Sequence, residues 1–353
     1  MEPAESVPIG CVRPHKLKSG VFVRCQSRVR SLCPSCAELY RGDWAAIARS
    51  GVFDADVSRY RFYLLTLTAP SFGRVHRVPR SPGARLKRCG CGATHDVRDA
   101  GLRGVPLDMD SYDYAGQVAW NRDAGVLWDR TRRRFRDWWP SVELFLVREW
   151  QDRGVLHLHA LVRIDRGGAP EAAVLREVAR TVQAVSPVDG ACVGWGPQAD
   201  AKRFRADGDG AKTIWYLSKA LNYVMKDTAL AAMSGRGSNF AWEHLTRLGQ
   251  AARAIRCSRD CDPDECASRV HDRYGSRSHV VSASRRTRHR SGWSFTGMTR
   301  RSQRESRAAW VAARAAAAGA AEPATAPERQ DGADAARSDV LRRIDVARSA
   351  VLP

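Results

Sequence analysis

Residues 60–68, YRFYLLTLT, run apolar and β-branched with one charge, the pattern of a strand buried within a sheet. Upstream, the spacing predicts a helix from Ala37 to Arg49 that closes a basic, Cys-rich stretch. Downstream, residues 69–106 are polar and rich in Pro, Gly and Arg, and read as an insert. Residues 112–139 then place Tyr112, Val118, Leu127, Trp128, Phe135 and Trp138 as apolar anchors of a long helix, with RTRRRFR on its polar side. After Pro140 come two strands, VELFLVREW and GVLHLHALVRI, joined by a short QDRG turn. A helix over 170–184, a short strand over 198–205 and a helix over 211–229 complete the regular pattern. Beyond Met233 the periodicity weakens. An Arg-rich run over 285–304 carries Trp293 and Phe295 between its charges, and an Ala-rich, then Pro/Asp-rich tail from about Val311 reads as disordered. No internal repeat is visible.

Composition points this α+β pattern toward a polyanion. Among 353 residues, 58 Lys and Arg face 38 Asp and Glu, a formal charge of +20, and only seven of the basic residues are Lys. Arg presents a planar fork suited to phosphate, so nucleic acid is the expected partner. A GC-rich genome also favours Arg over Lys, but it does not produce the charge excess. No run of eighteen apolar residues exists, so no membrane span is expected. The opening MEPAESVPIG lacks the apolar core of a signal peptide, which predicts a cytoplasmic protein whose ten Cys serve as metal ligands or buried thiols.

The sharpest chemical pattern lies across the hairpin. Residues two apart on a strand share a face, so His157 and His159 project together, and a turn centred near Arg153 sets Glu149 opposite His157. Two imidazoles and a carboxylate suit Mn²⁺ or Mg²⁺ where phosphate completes the coordination sphere, and Zn²⁺ accepts the same donors. The competing reading is a half-buried packing face, since Leu158, Ala160 and Leu161 suit packing equally well.

A second pattern lies in AKTIWYLSKALNYVMKD (211–227). Ile214, Leu217, Leu221, Val224 and Met225 fall on one helical stripe, while Tyr216, Lys219, Tyr223 and Lys226 lie on the other side as two Tyr-x-x-Lys pairs. A phenol with a pKa of about 10 is a poor nucleophile at neutral pH. It can attack a phosphodiester when a cation polarises the phosphate and a lysine offsets the developing charge. Alone, the helix reads equally as an ordinary surface helix. The nearby GDGAKT (208–213) has Ala211 where a phosphate-binding loop needs its second Gly, so no ATPase is implied.

The cysteines form groups. Cys25, Cys33 and Cys36, with Cys11 upstream, have zinc-ribbon spacing, and His15 is the alternative fourth ligand. Cys89, Cys91 and His95, with His76 before them, form a candidate second zinc set. Cys257, Cys261 and Cys266, with His244 or His271, are a weaker third group, and Cys192 reads as a core thiol. Short loop-rich segments such as these need a metal staple because they hold little apolar mass.

His157-Leu158-His159 resembles the His-hydrophobic-His (HUH) motif of rolling-circle initiators, relaxases and related transposases, with Leu64–Thr68 resembling their first motif and Tyr223–Asp227 their tyrosine motif. Several blocks in order resemble, more narrowly, the replication initiators of actinobacterial plasmids and integrative elements. They are RCQSRVRSLCPSCAELYRGDW (24–44), LTLTAPSFGRVH (65–76), RCGCGATH (88–95), DYAGQVAWN (113–121), GVLHLHALVRID (154–165) and VGWGPQADAKR (193–203). The likeness runs from about Cys11 to Asp227, with a weaker match at 292–306. It implies an HUH endonuclease core, a mostly antiparallel sheet with flanking helices, over 55–230. Cysteine spacing, charge and composition add a zinc module over 1–50, a basic DNA-binding region over 231–310 and a tail over 311–353. The likeness implies His157, His159 and Glu149 as ligands of the catalytic ion, and a tyrosine that nicks DNA at an origin, leaving a 5′-phosphotyrosine and a 3′-OH primer for host helicase and polymerase. The family's two tyrosines sit closer together than here, where Ala220 to Asn222 separate Lys219 from Tyr223. Tyr223 is preferred as nucleophile because Lys226-Asp227 follow it, with Tyr216 second. A conjugative relaxase or an HUH transposase would share this chemistry, and a non-catalytic zinc-dependent DNA-binding regulator would not.

Overall fold

The computed structural model describes residues 10–18, 20–53, 56–208, 210–214, 239–277, 281–285 and 292–293. All of them fall within one compact unit, Met1–Thr296. Its centre is a five-stranded antiparallel sheet. Strand β3 (Tyr60–Thr68) pairs with β5 (Leu156–Asp165) on one side and β8 (Asp200–Phe204) on the other; β4 (Glu143–Trp150) pairs with β5 and with β9 (Val281–Ala283). The order is β8-β3-β5-β4-β9. Strand β5 is therefore central, which explains why its sequence is apolar on both faces rather than alternating.

Register divides the side chains between two faces. On one, Tyr63, Leu65, Leu67, Leu144, Leu146, Leu158, Ala160 and Val162 pack against helix α2 (Tyr114–Trp138) and helix α3 (Ala172–Arg180), through Trp120, Leu127, Trp128, Phe135 and Leu175. Asp113 caps α2 by accepting from the Gly116 N–H at 2.8 Å. Trp139, buried, anchors the end of this helix, and Trp138 is 55% exposed, the reverse of the expected assignment.

The opposite face is split. At one end Phe62, Phe145, Val147, Leu161 and Phe204 pack under Ile47, Ala48 and Val52 of helix α1 (Pro34–Phe53) and under Trp293. Buried Arg163 donates to Glu143 at 2.7 Å, to the Gly51 carbonyl at 2.7 Å and to the Gly292 carbonyl at 2.9 Å. Trp293 is thus a core residue, donating its indole N–H to Ile47 at 3.2 Å, although its Arg-rich setting in the sequence suggested a nucleic-acid contact. The other end of this face carries His157, His159 and Glu149.

Three other expectations change. The predicted helix over 170–184 stops at Arg180, and β6 (Gln183–Val185) forms a small hairpin with β7 (Cys192–Gly194). Thr181, Val182 and Val185 favour extended backbone, and Pro187 starts the return. Cys192 is exposed rather than a core thiol, because Val193 is the residue of that strand turned inward. In the N-terminal stretch, the strand pair β1 (His15–Lys16) and β2 (Phe22–Val23) precedes α1, which begins at the CPSC knuckle, earlier than Ala37, with Pro34 as its first residue. No described helix is long and apolar enough to cross a membrane.

Candidate functional site

The hairpin register pairs Glu149 with His157 and Val147 with His159. Across the other edge of β5, Thr66 pairs with His159 and Thr68 with His157. Five side chains, Thr66, Thr68, Glu149, His157 and His159, therefore share one end of one face. His159 is 1% exposed; its Nε2 lies 3.2 Å from Glu149 Oε2 and its Nδ1 3.2 Å from Thr66 Oγ1. An Nδ1–H donated to Thr66 leaves the Nε2 lone pair facing the carboxylate, the tautomer a shared cation requires. The His157 ring meets His159 edge-on with centroids 4.5 Å apart, and its Nδ1 is 3.2 Å from Gln151 Nε2. Burial, aided by His159, Arg80 and Arg153, pushes the His157 imidazole down to about 3, so it is neutral at physiological pH. Glu149, His157 and His159 do not share the 4.8 Å spread of the Cys/His groups below; the polar contact among them is that of Glu149 with His159.

The turn that aligns these residues is gripped from behind. Gln117 of α2 donates to the Arg153 carbonyl at 2.8 Å and His244 of helix α4 (Asn239–Ala254) contacts the same oxygen at 3.1 Å. Fully buried Asn121 donates to the Gly154 carbonyl and accepts from the Leu156 N–H, each at 3.0 Å. Gly154 has φ 72, the left-handed conformation that favours glycine, and a Cβ there would displace the Leu248 side chain, whose Cδ2 lies 2.4 Å away.

Arg80 was not anticipated from sequence. The insert carries it to the carboxylate, where its guanidinium is 3.9 Å from Glu149 Oε1 and 3.0 Å from Asp152 Oδ2. An isolated Arg in a polar insert gives no periodic signal. Tyr216, Lys219, Tyr223 and Lys226 lie outside the described residues. Upstream of them, the described helical residues 210–214 end at Ile214, which is buried in the same core cluster as Phe62, Leu161 and Phe204 on the histidine face.

The first two Cys/His groups expected from spacing are assembled. Cys11, Cys25, Cys33 and Cys36 bring their sulfurs within 4.8 Å of one another, so Cys11 rather than His15 completes this group. His76, Cys89, Cys91 and His95 do the same. A tetrahedral zinc ion with bonds of about 2.3 Å to sulfur and about 2.0 Å to nitrogen sets edges of about 3.8 Å (S···S), 3.5 Å (S···N) and 3.3 Å (N···N). The observed separations are 3.7 Å for Cys11–Cys36, 3.7 Å for Cys89–His76, 3.3 Å for Cys91–His95 and 3.2 Å for His76–His95. Asp99 holds His95 Nδ1 at 3.0 Å, leaving Nε2 to the cluster. Both groups are therefore candidate metal-binding clusters.

A five-stranded antiparallel sheet flanked by helices, with a His/carboxylate set on one face, defines a mixed α/β protein that carries candidate metal-binding Cys/His clusters. The family model described as "Replication initiator protein, pSAM2" matches residues 13–341, and the chain belongs to this RepSA replication initiator family. A curated replication initiator protein from Streptomyces ambofaciens is 30% identical over 280 residues, which cover 65% of this chain and 60% of that relative. No solved structure matches.

Proposed function

We propose that this chain is a replication initiator that nicks single-stranded DNA at a plasmid or integrative-element origin. One observation carries the reading: a glutamate and two histidines from a β-hairpin meet on one end of a sheet face, with Glu149 and His159 at 3.2 Å. Cis ligands bound at about 2.1 Å to an octahedral ion lie about 3 Å apart, so this pair fits Mn²⁺ or Mg²⁺, and His157 would be the third residue to hold it. A divalent ion held there supplies Lewis acidity toward a non-bridging phosphate oxygen.

The protein groups do the rest. The phenol oxygen of Tyr223 bonds to phosphorus, its proton passes to solvent, and the P–O3′ bond breaks with the leaving 3′ oxygen taking a proton from solvent. The products are a 5′-phosphotyrosine and a 3′-OH, which a host polymerase extends behind a host helicase. Tyr216 is the second candidate for the nucleophile. Lys226 or Lys219 offsets charge on the phosphate, and Arg80 adds a cation beside Glu149. The burial of Ile214, two residues before Tyr216 in the sequence, among Phe62, Leu161 and Phe204 supports this reading. The two Cys/His clusters are read as structural zinc sites, and the basic C-terminal region as a duplex-binding surface, consistent with the charge of +20.

Supercoiled DNA bearing the element's origin tests the proposal. The full chain with Mn²⁺ should yield open circles with protein covalently attached to the 5′ end, and chelation should abolish the nick. Mass spectrometry of the adduct names the attacking side chain. Nicking that persists in both Tyr223→Phe and Tyr216→Phe refutes the tyrosine mechanism, and nicking unaffected by His159→Ala refutes the metal site.

A further inference from the structure

The segment that follows α4 contains a third group with the geometry of a metal site. Cys257 Sγ lies 3.8 Å from Cys266 Sγ, and Cys261 Sγ lies 3.6 Å from His271 Nε2. The tetrahedral zinc edges given above are about 3.8 Å and 3.5 Å, whereas disulfide-bonded sulfurs are about 2.05 Å apart. All four ligand atoms lie within 4.8 Å of one another. His271 is buried, and its Nδ1 is 2.7 Å from the Ala252 carbonyl. That carbonyl can only accept, so Nδ1 carries the proton and the Nε2 lone pair faces the sulfurs, the orientation seen in zinc-bound imidazoles. His244, the other histidine near in sequence, is engaged elsewhere, with Tyr114 and the Arg153 carbonyl.

We propose that Cys257, Cys261, Cys266 and His271 bind one structural zinc ion that fastens the loop after α4 against the hairpin bearing Glu149 and His157. Three thiolates and one imidazole form a closed tetrahedral set with no open position for substrate. The loop holds few apolar residues of its own, so a metal is the available staple.

Three residues past His271 the chain reaches the hairpin. The Tyr274 ring stands edge-on to Trp150, next to Glu149, with centroids 6.0 Å apart. The Tyr274 carbonyl accepts from Asn121 at 3.0 Å, the same side chain that grips Gly154 and Leu156. Tyr274 has φ 47 and Gly275 φ 86; a Cβ on Gly275 would stand 2.4 Å from the Val118 carbonyl oxygen. This left-handed pair is what the loop must hold in place against α2, and the zinc ion is the anchor at its start.

The test needs no DNA, so its outcome is independent of the nicking proposal. The full chain, purified under reducing conditions, should contain three zinc ions per polypeptide by elemental analysis. Cys261→Ser/Cys266→Ser should contain two, and His271→Cys, which keeps a fourth ligand, should retain three. Thiol alkylation of the unaltered chain guards against variants that fail to fold. Exposed Cys192 should react at once as an internal reference, while Cys257, Cys261 and Cys266 react at least ten-fold more slowly until a chelator is added. Hydrogen exchange of a peptide covering 151–158 should quicken in the double variant. A zinc content unchanged by the double substitution, alkylation of these three thiols insensitive to chelation, or a Cys257–Cys266 disulfide in the reduced chain would each overturn the site.

Discussion

Asn121 is the residue on which the geometry of the hairpin most directly depends. Its side chain is fully buried and makes three hydrogen bonds at 3.0 Å, donating to the Gly154 and Tyr274 carbonyls and accepting from the Leu156 N–H. Replacement by Ala leaves three backbone groups without this partner. Each buried, unpaired group costs about 1–3 kcal/mol, and partial access of water keeps the sum nearer the lower end, so Asn121→Ala should destabilise the chain by about 3–5 kcal/mol. Asn121→Asp is the informative companion. Its carboxylate still accepts from Leu156 but faces two carbonyl oxygens, so the folded state favours the protonated acid and raises its pKa. The Asp variant should be at least as unstable as the Ala variant at pH 7 and recover as pH falls and the acid can donate to one carbonyl. Urea denaturation followed by circular dichroism, at saturating zinc, measures both. An Asn121→Ala loss below about 1 kcal/mol at an unchanged denaturant slope, or an Asp variant with no pH response relative to Ala, would refute the clamp.

Three further outcomes follow from the same contacts. Glu143→Ala strands Arg163 in the core beside the Gly51 and Gly292 carbonyls and should cost about 3–5 kcal/mol in denaturation experiments, more than replacement of both partners by apolar residues. Asp189 is held down to about 2, first by its hydrogen bond from Arg122 and then by the Ala191 N–H, and its lowered pKa contributes stability that is complete above the unfolded value of about 4 and lost as pH falls through about 2. Its side chain is 45% exposed, so solvent screening reduces the contribution to about 1 kcal/mol, and the stability gap between wild type and Asp189→Asn at pH 7 should close across that window. Glu149→Gln should weaken Mn²⁺ binding, read by electron paramagnetic resonance of the free ion, by about ten- to a hundred-fold while leaving the zinc content unchanged.

The local patterns in the sequence determined much of this protein. Runs of apolar, β-branched residues marked β3, β4 and β5, and the short QDRG turn between the last two already fixed Glu149 opposite His157, because pairing about a hairpin is symmetric. Cys-x-x-Cys spacing marked the first candidate metal cluster for a similar reason, since ligand distance within a tight turn is a property of the local chain. What depended on distant segments was not legible. The choice of His271 over His244 was set by where α4 and the following loop pack, and the exposure of Cys192 by which side of a short hairpin faces α2. Trp293 lay in an Arg-rich run that reads as a binding surface, yet a gap above Gly51, whose missing Cβ leaves room for the indole, drew it into the core. Arg80 reaches Glu149, and Asn121 joins α2 to two turns, only because the folded chain closes those distances. Periodicity reports which side of an element is apolar; which partner fills that side is decided by packing across the whole molecule.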